Sequence, residues 1–335
     1  MRKRTLFLAI FLLLLLVMAS GLARSLEWNE LNDEAYGATV GARAFEKKIK
    51  ELSGGKLTID VYTNGRLGTE DESIQGMKLG TLDIFRGNAS SLSTYGADVI
   101  AATGMPFAFT SMEEFEEMAK SDLGQELLDS VEAADCGFVA ISWLVEPPRN
   151  LFITEKTYEA LGRPETFSLD MLKNRLVRVP GTILMEETIG ALGAVPVTVT
   201  YSELKRTLES GNLDAAENGI ITYINEGFYE AAPYYITDAH TFGCGVILVS
   251  AETWNSLSEE EKGWMREAGK VASDACYEYN AKEQQVCYDL FKEKGITLLP
   301  VEDIEKWQDA CKQVYSQQSL EVQEMIYRIQ NRGNE

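Results

Sequence analysis

The chain has 335 residues, of which 31 are basic and 52 acidic, giving a formal net charge of −21. This charge argues against nucleic acids and anionic lipid surfaces as partners, because both would be repelled by so acidic a protein. The five cysteines are an odd number, so at least one thiol is free in an exported protein. They show no CxxC spacing, and we expect most of them to be buried as small apolar residues.

Residues 1–23 have the pattern of an export signal. A basic start at 2–4 is followed by an unbroken apolar run at 6–19 and by small residues before a cleavage site near Arg24. The run is shorter than the roughly 20 residues of a membrane-spanning helix, which favours a cleaved signal over a retained anchor. A lipid anchor would need a cysteine at the cleavage site, and the sequence has none there, so we do not expect a lipid-anchored form. We therefore expect a soluble, periplasmic or extracytoplasmic mature chain.

The mature chain is long enough for two domains. Helices and strands alternate along its first part, which predicts an α/β fold with a mostly parallel sheet covered by helices. Thr69 with Glu72 forms a capping box for one of these helices. The expected elements are a helix at 38–53, a strand at 57–63, a helix ending at Gly80, a strand at 82–85, a helix capped by Ser111 and a buried strand at 138–145.

A Pro-Pro pair at 147–148 marks a change in the chain. Proline interrupts central strands and helices, so we expect the chain to cross to a second lobe at this pair. The pattern then repeats, and a strand at 244–250 is expected to return to the first lobe. The second lobe is expected to contain strands at 176–179, 195–200 and 213–218, a helix at 182–192 and a helix capped by Ser202.

A long helical segment begins at a capping box formed by Ser258 and Glu261 and ends before Gly295. Its roughly 36 residues correspond to about 54 Å, longer than one lobe is wide, so we expect it to span both lobes. A strand at 296–301 and an amphipathic helix end the chain. The expected lobes are residues 24–146 with about 244–280, and residues 147–243 with about 281–335.

Arg178 is the most informative residue, because it stands in an otherwise apolar strand that ends at Pro180. A buried guanidinium needs an anionic partner, since an unpaired buried charge is costly. Its planar fork can bind a carboxylate through two hydrogen bonds, which a lysine cannot do. From the residue alone, the partner can be either a ligand carboxylate or an Asp or Glu of the protein.

Arg149 and Asn218 leave similar alternatives open. Arg149 follows the Pro-Pro pair and precedes an apolar segment, so it too can bind a ligand or a protein carboxylate. Asn218 ends a short apolar strand and can belong to a binding site or form a turn with Gly219, as Asn-Gly pairs commonly do.

The sequence offers little for catalysis. His240 is the only histidine, and no HExxH, GxSxG or P-loop motif occurs. We therefore expect no enzymatic activity, no metal and no cofactor, and we expect His240 to be structural. Acidic runs such as EEFEEM fit the first turns of helices, where the helix dipole favours negative charge.

Together these segments resemble the solute-binding receptors of TRAP transporters (tripartite ATP-independent periplasmic transporters, DctP-like). The strongest match is LVRVPGTILMEETIGALGAVPVTVTYSELKRTLESGNLDAAEN, residues 176–218. The segments FEKKIKELSGGKLTIDVYTNGRLGTEDESIQGMKLGTLDI, PFAF and LVEPPRNLFIT match further parts of the family pattern. The resemblance covers nearly the whole mature chain. It implies two α/β lobes, joined by hinge strands and a long shared helix, that close on a small organic acid.

The resemblance also implies roles for individual residues. The arginine of the RVP segment clamps the ligand carboxylate in that family, and Arg178 occupies its position. The other residues expected to contact the ligand are Arg149, Asn218 and Tyr201 in the second lobe and Glu70, Arg86 and Asn88 in the first.

The chain departs from the family pattern at three positions. Lys205 replaces an aromatic residue after S-E-L, and Gly219 replaces the proline that commonly follows E-N. Asn88 stands where sialic-acid receptors have an acidic residue, which argues against sialic acid as the ligand. The polar first-lobe residues instead favour a hydroxylated acid, for example a sugar acid such as a uronate, over a plain dicarboxylate.

The expected function is that of a monomeric receptor that captures a small carboxylate by lobe closure and delivers it to a TRAP-type membrane permease. Two alternatives remain. A sensor receptor that presents its ligand to a signalling partner would have the same sequence features. An exported lyase or hydrolase on this fold would need an acid–base pair, for which Glu70, Glu217 and His240 are the candidates.

Overall fold

The structure, a computed structural model, describes residues 23–332. Residues 1–22 of the expected export signal and residues 333–335 lie outside the described residues. Within the described part, ten strands form one curled, mixed sheet. The strands are β1 (Arg24–Asn29), β2 (Leu57–Tyr62), β3 (Ile84–Asn88), β4 (Phe138–Ile153), β5 (Leu176–Val179), β6 (Val195–Thr198), β7 (Ala215–Gly219), β8 (Tyr234–Ile236), β9 (Thr241–Ser250) and β10 (Thr297–Leu299).

Helices cover both faces of this sheet. The α-helices of the described residues are α1 (Gly37–Leu52), α2 (Glu70–Lys78), α3 (Met112–Ala119), α4 (Asp122–Ala133), α5 (Glu155–Ala160), α6 (Ile183–Ala191), α7 (Leu204–Glu209), α8 (Ile220–Asn225), α9 (Ala251–Ser256), α10 (Glu259–Asp289), α11 (Phe291–Lys294), α12 (Ile304–Ser316) and α13 (Leu320–Asn331). Short 3₁₀ helices lie at Ala89–Tyr95, Val99–Gly104, Leu169–Leu172, Tyr201–Glu203 and Phe228–Glu230.

The sheet order β2-β1-β3-β9-β4-β7-β5-β6 defines two lobes. The first lobe contains β1, β2, β3, β9 and the first half of β4, and the second contains the rest of β4 with β5–β8 and β10. Neighbours pair in parallel within β2-β1-β3 and within β7-β5-β6. By contrast, β9 is antiparallel to both β3 and β4, and β4 is antiparallel to β7. The expected α/β fold with two lobes is confirmed.

Alternation along the strands places the core on both faces of the first-lobe sheet. Successive side chains of a strand point to opposite faces. Accordingly, Ile247 and Val249 of β9 pack with α1 and α10, whereas Val246 and Leu248 pack with residues of α2, α3 and α4. Both faces are therefore covered, as the near-continuous apolar strand sequences require.

Strand β4 runs through the Pro-Pro pair, so the expectation that the strand ends before it was wrong. The pair of β4 with β9 shifts register between Val145 and Pro148. Such a bulge accommodates residues that cannot donate a backbone hydrogen bond. The chain thus passes from one lobe to the other along a single 16-residue strand.

The long helix spans both lobes as expected. The capping box of Ser258 and Glu261 is present, and Gly295 is left-handed. The helical segment is divided, however, because α10 ends at Asp289 and the short α11 follows. Met265 of α10 lies in the first-lobe core, and Cys287 lies in the second-lobe core.

The C-terminal helix α13 packs on the first lobe. Its buried residues Val322, Met325, Ile326 and Ile329 lie in the same cluster as Phe115 of α3. This placement differs from the expectation that residues 281–335 belong to the second lobe. The amphipathic pattern showed that the helix has one buried face, but it could not indicate which lobe covers that face.

Other local expectations were tested by the structure. Thr69 and Glu72 form the capping box at the start of α2, and the Ser111 side chain caps α3. Ser202 does not cap a helix, since it lies inside the 3₁₀ turn that precedes α7. All five cysteines are free; four are buried, and Cys136 is half-buried. Every helix of residues 23–332 is too short or too polar to cross a bilayer.

Candidate functional site

A cavity of about 650 Å³ lies between the lobes, where β4 and β9 connect them. Side chains of both lobes line it. All seven residues that the sequence analysis proposed as ligand contacts are among them: Glu70, Arg86, Asn88, Arg149, Arg178, Tyr201 and Asn218. The fold therefore brings together residues that are up to 148 positions apart in the sequence, although their contact with a ligand stays a prediction.

Arg178 is buried in the second-lobe wall of this cavity. Val177 and Val179, on either side of it in β5, pack in the same core cluster. Since side chains alternate along a strand, Arg178 must point to the opposite face. Its Nε donates a hydrogen bond to the carbonyl oxygen of Val199 at 2.9 Å.

No carboxylate within residues 23–332 forms an ion pair with Arg178, so an internal salt bridge is not its role in the described part of the chain. Burial lowers the pKa of Arg178, and the positive charge of Arg149 adds to this effect, whereas Glu217 opposes it. A buried guanidinium in this situation is electrostatically unfavourable until an anion binds. The arrangement suits a ligand carboxylate, which can accept two hydrogen bonds from its planar fork.

Arg149 has a different environment, because it pairs with Glu217. Its Nε and Nη2 donate to the two carboxylate oxygens of Glu217 at 2.5 and 2.8 Å. Glu217 is fully buried on β7, the strand between those that carry the two arginines. Burial alone would raise the pKa of Glu217, but Arg149 and His240 lower it to about 2. Arg149 therefore carries a charge that the protein itself neutralises.

His240 extends this buried network. Its Nδ1 lies 2.6 Å from an oxygen of Asp238, and its Nε2 lies 3.7 Å from Glu217. Burial alone would lower the pKa of His240, but Asp238 and Glu217 raise it to about 9. Asp238 also accepts a hydrogen bond from the backbone N–H of Leu151 in β4. The network thus holds the base of the cavity together at the connection between the lobes.

Asn218 and Tyr201 complete the second-lobe wall. The Asn218 side-chain oxygen accepts a hydrogen bond from the N–H of Gly219 at 2.9 Å, so the turn role is real. Its amide nitrogen makes no hydrogen bond within the described residues and lies at the cavity. Tyr201 is 48% exposed, with its ring edge-on to Phe228. Asn218 can therefore offer a hydrogen-bond donor to a ligand, whereas the Tyr201 hydroxyl is already hydrogen-bonded to Tyr36 and Glu226.

The first-lobe wall is polar. Glu70, the first residue of α2, accepts a hydrogen bond from the Ser91 hydroxyl at 2.6 Å. Asn88 ends β3, and its side-chain oxygen caps the following 3₁₀ helix by accepting from the N–H of Ser90. Arg86, also on β3, forms an ion pair with Glu146 of β4. The first lobe therefore offers carboxylate and amide groups to the cavity, while its arginine is already paired.

Sequence reasoning missed several side chains that line the cavity, including two of its acids and one tyrosine. Glu146 precedes the Pro-Pro pair and was interpreted only as part of the lobe crossover. Glu226 and Tyr36 also line the cavity, and they stand in segments without any motif. Burial raises the pKa of Tyr36, and hydrogen bonding to Thr222 and Tyr201 of the second lobe opposes that shift. Tyr36 thus connects the two walls of the cavity.

Lys205 lies away from the cavity, where it pairs with Glu230 at 2.7 Å on the surface. Its departure from the family pattern therefore does not alter the lining. Gly219 is opposite Arg149 in the β4–β7 ladder. Within residues 23–332, no group of three or more His, Cys, Asp or Glu side chains is arranged to hold a metal ion.

Comparison with known proteins supports this description of the fold. A solute-binding protein of Roseobacter denitrificans is 27% identical over 281 residues, which are 83% of this chain and 82% of the relative. The crystal structure of a TRAP periplasmic solute-binding protein from Bradyrhizobium, in complex with galacturonate, superposes with a TM-score of 0.81 at 26% identity. That superposition covers 92% of this chain and all of the other.

A second solved structure, the Roseobacter denitrificans protein with bound L-galactonate, has a TM-score of 0.77 at 25% identity and covers 92% of this chain and 99% of the other. The DctP family model, described as bacterial extracellular solute-binding protein, family 7, matches residues 32–321. That match includes both walls of the cavity and the strands that join the lobes, so the chain belongs to the DctP family of extracellular solute-binding proteins.

Proposed function

We propose that this protein is an extracytoplasmic receptor that binds a sugar acid, such as a uronate, and delivers it to a TRAP-type membrane permease. The observation that carries the proposal is Arg178, a buried guanidinium in the cavity without a carboxylate partner in the described chain. The galacturonate and L-galactonate named for the two similar structures support the choice of ligand class.

Binding proceeds by lobe closure. The ligand carboxylate accepts hydrogen bonds from Arg178, and Asn218 adds a donor from the neighbouring strand. The hydroxyl groups of the sugar then face Glu70 and Asn88 of the first lobe. Closure excludes water, which strengthens each charged hydrogen bond, and the ligand shifts the equilibrium towards the closed form because it binds that form better.

The location and partners follow from the same proposal. Export through the N-terminal segment 1–23 places the receptor outside the cytoplasm, where it acts as a monomer. A receptor of this kind needs no catalytic activity, and each acid–base candidate has a partner within the protein. Glu217 is paired with Arg149, His240 is paired with Asp238, and Glu70 accepts a hydrogen bond from Ser91.

The proposal is tested by ligand-induced stabilisation of the purified protein. D-galacturonate, D-glucuronate, L-galactonate, succinate and sialic acid are compared, with D-galactose as the matched control that lacks a carboxylate. A sugar acid at 100 times its dissociation constant adds about 2.7 kcal/mol to the free energy of unfolding. The proposal fails if no acid stabilises the protein or if D-galactose does so equally. If NMR instead shows that the protein converts the acid to a product, the alternative of an exported lyase or hydrolase is favoured.

A further inference from the structure

The walls of the cavity carry more negative than positive side chains. Its charged lining residues are three arginines, Arg86, Arg149 and Arg178, and four acids, Asp33, Glu70, Glu146 and Glu226. An excess of positive side chains would strengthen the binding of anions, whereas an excess of negative ones weakens it, since like charges repel strongly in a partly desolvated site. The pairing of these groups therefore decides which anions the cavity accepts.

Two of the three arginines are neutralised within the protein. Glu217 binds Arg149 through both carboxylate oxygens, and the adjacent His240 is balanced by Asp238. The four groups together carry no net charge when the histidine is protonated. This network therefore presents no excess positive charge to a ligand.

Arg86 is neutralised by an ion pair with Glu146. Its guanidinium contacts Glu146, and its charge also acts on the fully buried Glu30. The Glu146 side chain lies over Gly243, where a Cβ atom would be 2.4 Å from its Oε2. The absence of a side chain at Gly243 of β9 leaves the space that the Glu146 carboxylate occupies.

The remaining acids have no cation beside them. Glu70 accepts a hydrogen bond from Ser91, and Asp33 accepts one from the N–H of Ala35, but neither forms an ion pair within residues 23–332. Glu226 likewise has no ion-pair partner in that range. The cavity thus combines one uncompensated cation, Arg178, with uncompensated carboxylates.

We propose that the cavity selects acids with a single carboxylate and rejects diacids, and that Glu146 sets this selection by neutralising Arg86. The inference deepens the proposed function and rests on it. A ligand held at Arg178 directs its other end towards the first lobe, where a hydroxyl group can donate to the carboxylates. A second carboxylate has no cation available there and is repelled, which is specificity by an unfavourable contact.

Three sugar acids with one carbon skeleton test the selection. L-galactonate and galactarate are open chains that differ only at the end opposite the shared carboxylate, which is an alcohol in the first and a second carboxylate in the second. D-galacturonate has the same carbon skeleton with an aldehyde carbon at that end, which closes with a chain hydroxyl into a ring, so it serves as the cyclic acid with one carboxylate. Titration calorimetry with the purified protein should show galactarate binding at least about tenfold more weakly than L-galactonate. Equal or tighter binding of galactarate overturns the inference and leaves the proposed function intact. If none of the three acids binds, the proposed function itself fails.

Glu146→Gln tests the determinant. The substitution releases the charge of Arg86, so the ratio of the galactarate and L-galactonate dissociation constants should fall by about tenfold or more. Glu126→Gln is the matched control, because it breaks an exposed pair with Arg328 that does not line the cavity. Its ratio should equal that of the unaltered protein.

Glu70→Gln provides a second variant should Glu146→Gln fail to fold. It removes one uncompensated carboxylate and should lower the same ratio by about threefold, without creating a new cation. An unchanged ratio in whichever of the two variants folds would show that the wall charge does not select the ligand.

Discussion

Arg149 and Arg178 lie on strands separated only by β7, yet their surroundings differ. Arg149 has both oxygens of Glu217 within hydrogen-bond distance, whereas the one acceptor that residues 23–332 provide for Arg178 is the backbone carbonyl of Val199. An arginine whose charge is neutralised by the protein mainly stabilises the fold. An arginine that is buried without a carboxylate is stabilised when a ligand supplies one. We therefore propose a mainly structural role for Arg149 and a ligand-binding role for Arg178.

The single histidine allows a direct test of the buried network. We expect an NMR titration of His240 to give a pKa near 9, above its usual 6.5, because Asp238 and Glu217 surround it. The stabilisation that follows is complete below pH 6.5 and is lost as the pH rises through 9, with a magnitude of ~3 kcal/mol. Urea unfolding between pH 6 and 10 measures this loss.

Asp238→Asn is the corresponding control, since it keeps an oxygen acceptor for the N–H of Leu151 but removes the charge next to His240. The histidine pKa should then fall from about 9 towards its usual 6.5, because burial lowers it and the main opposing charge is gone. A histidine that titrates near its usual value in the unaltered protein would show that the network is not ionised in this way. Glu217 contributes in the opposite range, because its lowered pKa gives stability that is lost as the pH falls from 4.5 towards 2.

At the scale of elements, the first lobe depends on the close approach of α1 to α10 and β4. Gly41 of α1 has no side chain at the point of closest contact. A Cβ there would lie 2.8 Å from the carbonyl oxygen of Ala272 and 2.9 Å from a methyl group of Leu144. The contact with a backbone atom cannot be relieved by turning a side chain, so the helices themselves would have to move.

Gly41→Ala should therefore lower the free energy of unfolding by about 1–3 kcal/mol. Gly263→Ala is the matched substitution in α10, where no heavy atom lies within 4 Å of the added Cβ. This change should raise stability by about 0.5–1 kcal/mol, because alanine is the better helix former. Urea unfolding of both variants compares them, and destabilisation of equal size at the two sites would contradict the packing described for α1.

For the whole molecule, β4, β9 and α10 connect the two lobes around the cavity. Strand β4 continues through its bulge at the Pro-Pro pair, and α10 has buried residues in the cores of both lobes. These continuous elements keep the lobes in register, whereas Tyr36 of the first lobe reaches across the cavity to Thr222 and Tyr201 through side-chain hydrogen bonds. Closure on a ligand can therefore occur by bending of the connections, without breaking either core.

The sequence predicted features that depend on neighbouring residues better than those that depend on tertiary contacts. The capping boxes at Thr69 and Ser258 are local, and both are present. The seven proposed site residues were predictable from strand ends and from the family resemblance, and the structure places them in one cavity. The course of β4 through its prolines and the packing of α13 were not predictable, since each is decided by distant partners. The pairing of Glu146 with Arg86 was missed for the same reason.

The central claim is that Arg178 is held for a ligand carboxylate and not for the stability of the fold. Arg178→Met keeps a side chain of similar reach but removes the guanidinium. Calorimetric titration with the sugar acid that stabilises the protein most should show a dissociation constant at least about 100-fold higher, since two charged hydrogen bonds are lost.

The unliganded Arg178→Met protein should at the same time be as stable as the unaltered protein or more stable, because an uncompensated buried charge has been removed. Both quantities are measured on the same preparation, by titration and by urea unfolding. A dissociation constant that stays within about threefold, or a loss of several kcal/mol in the unliganded state, would contradict the account.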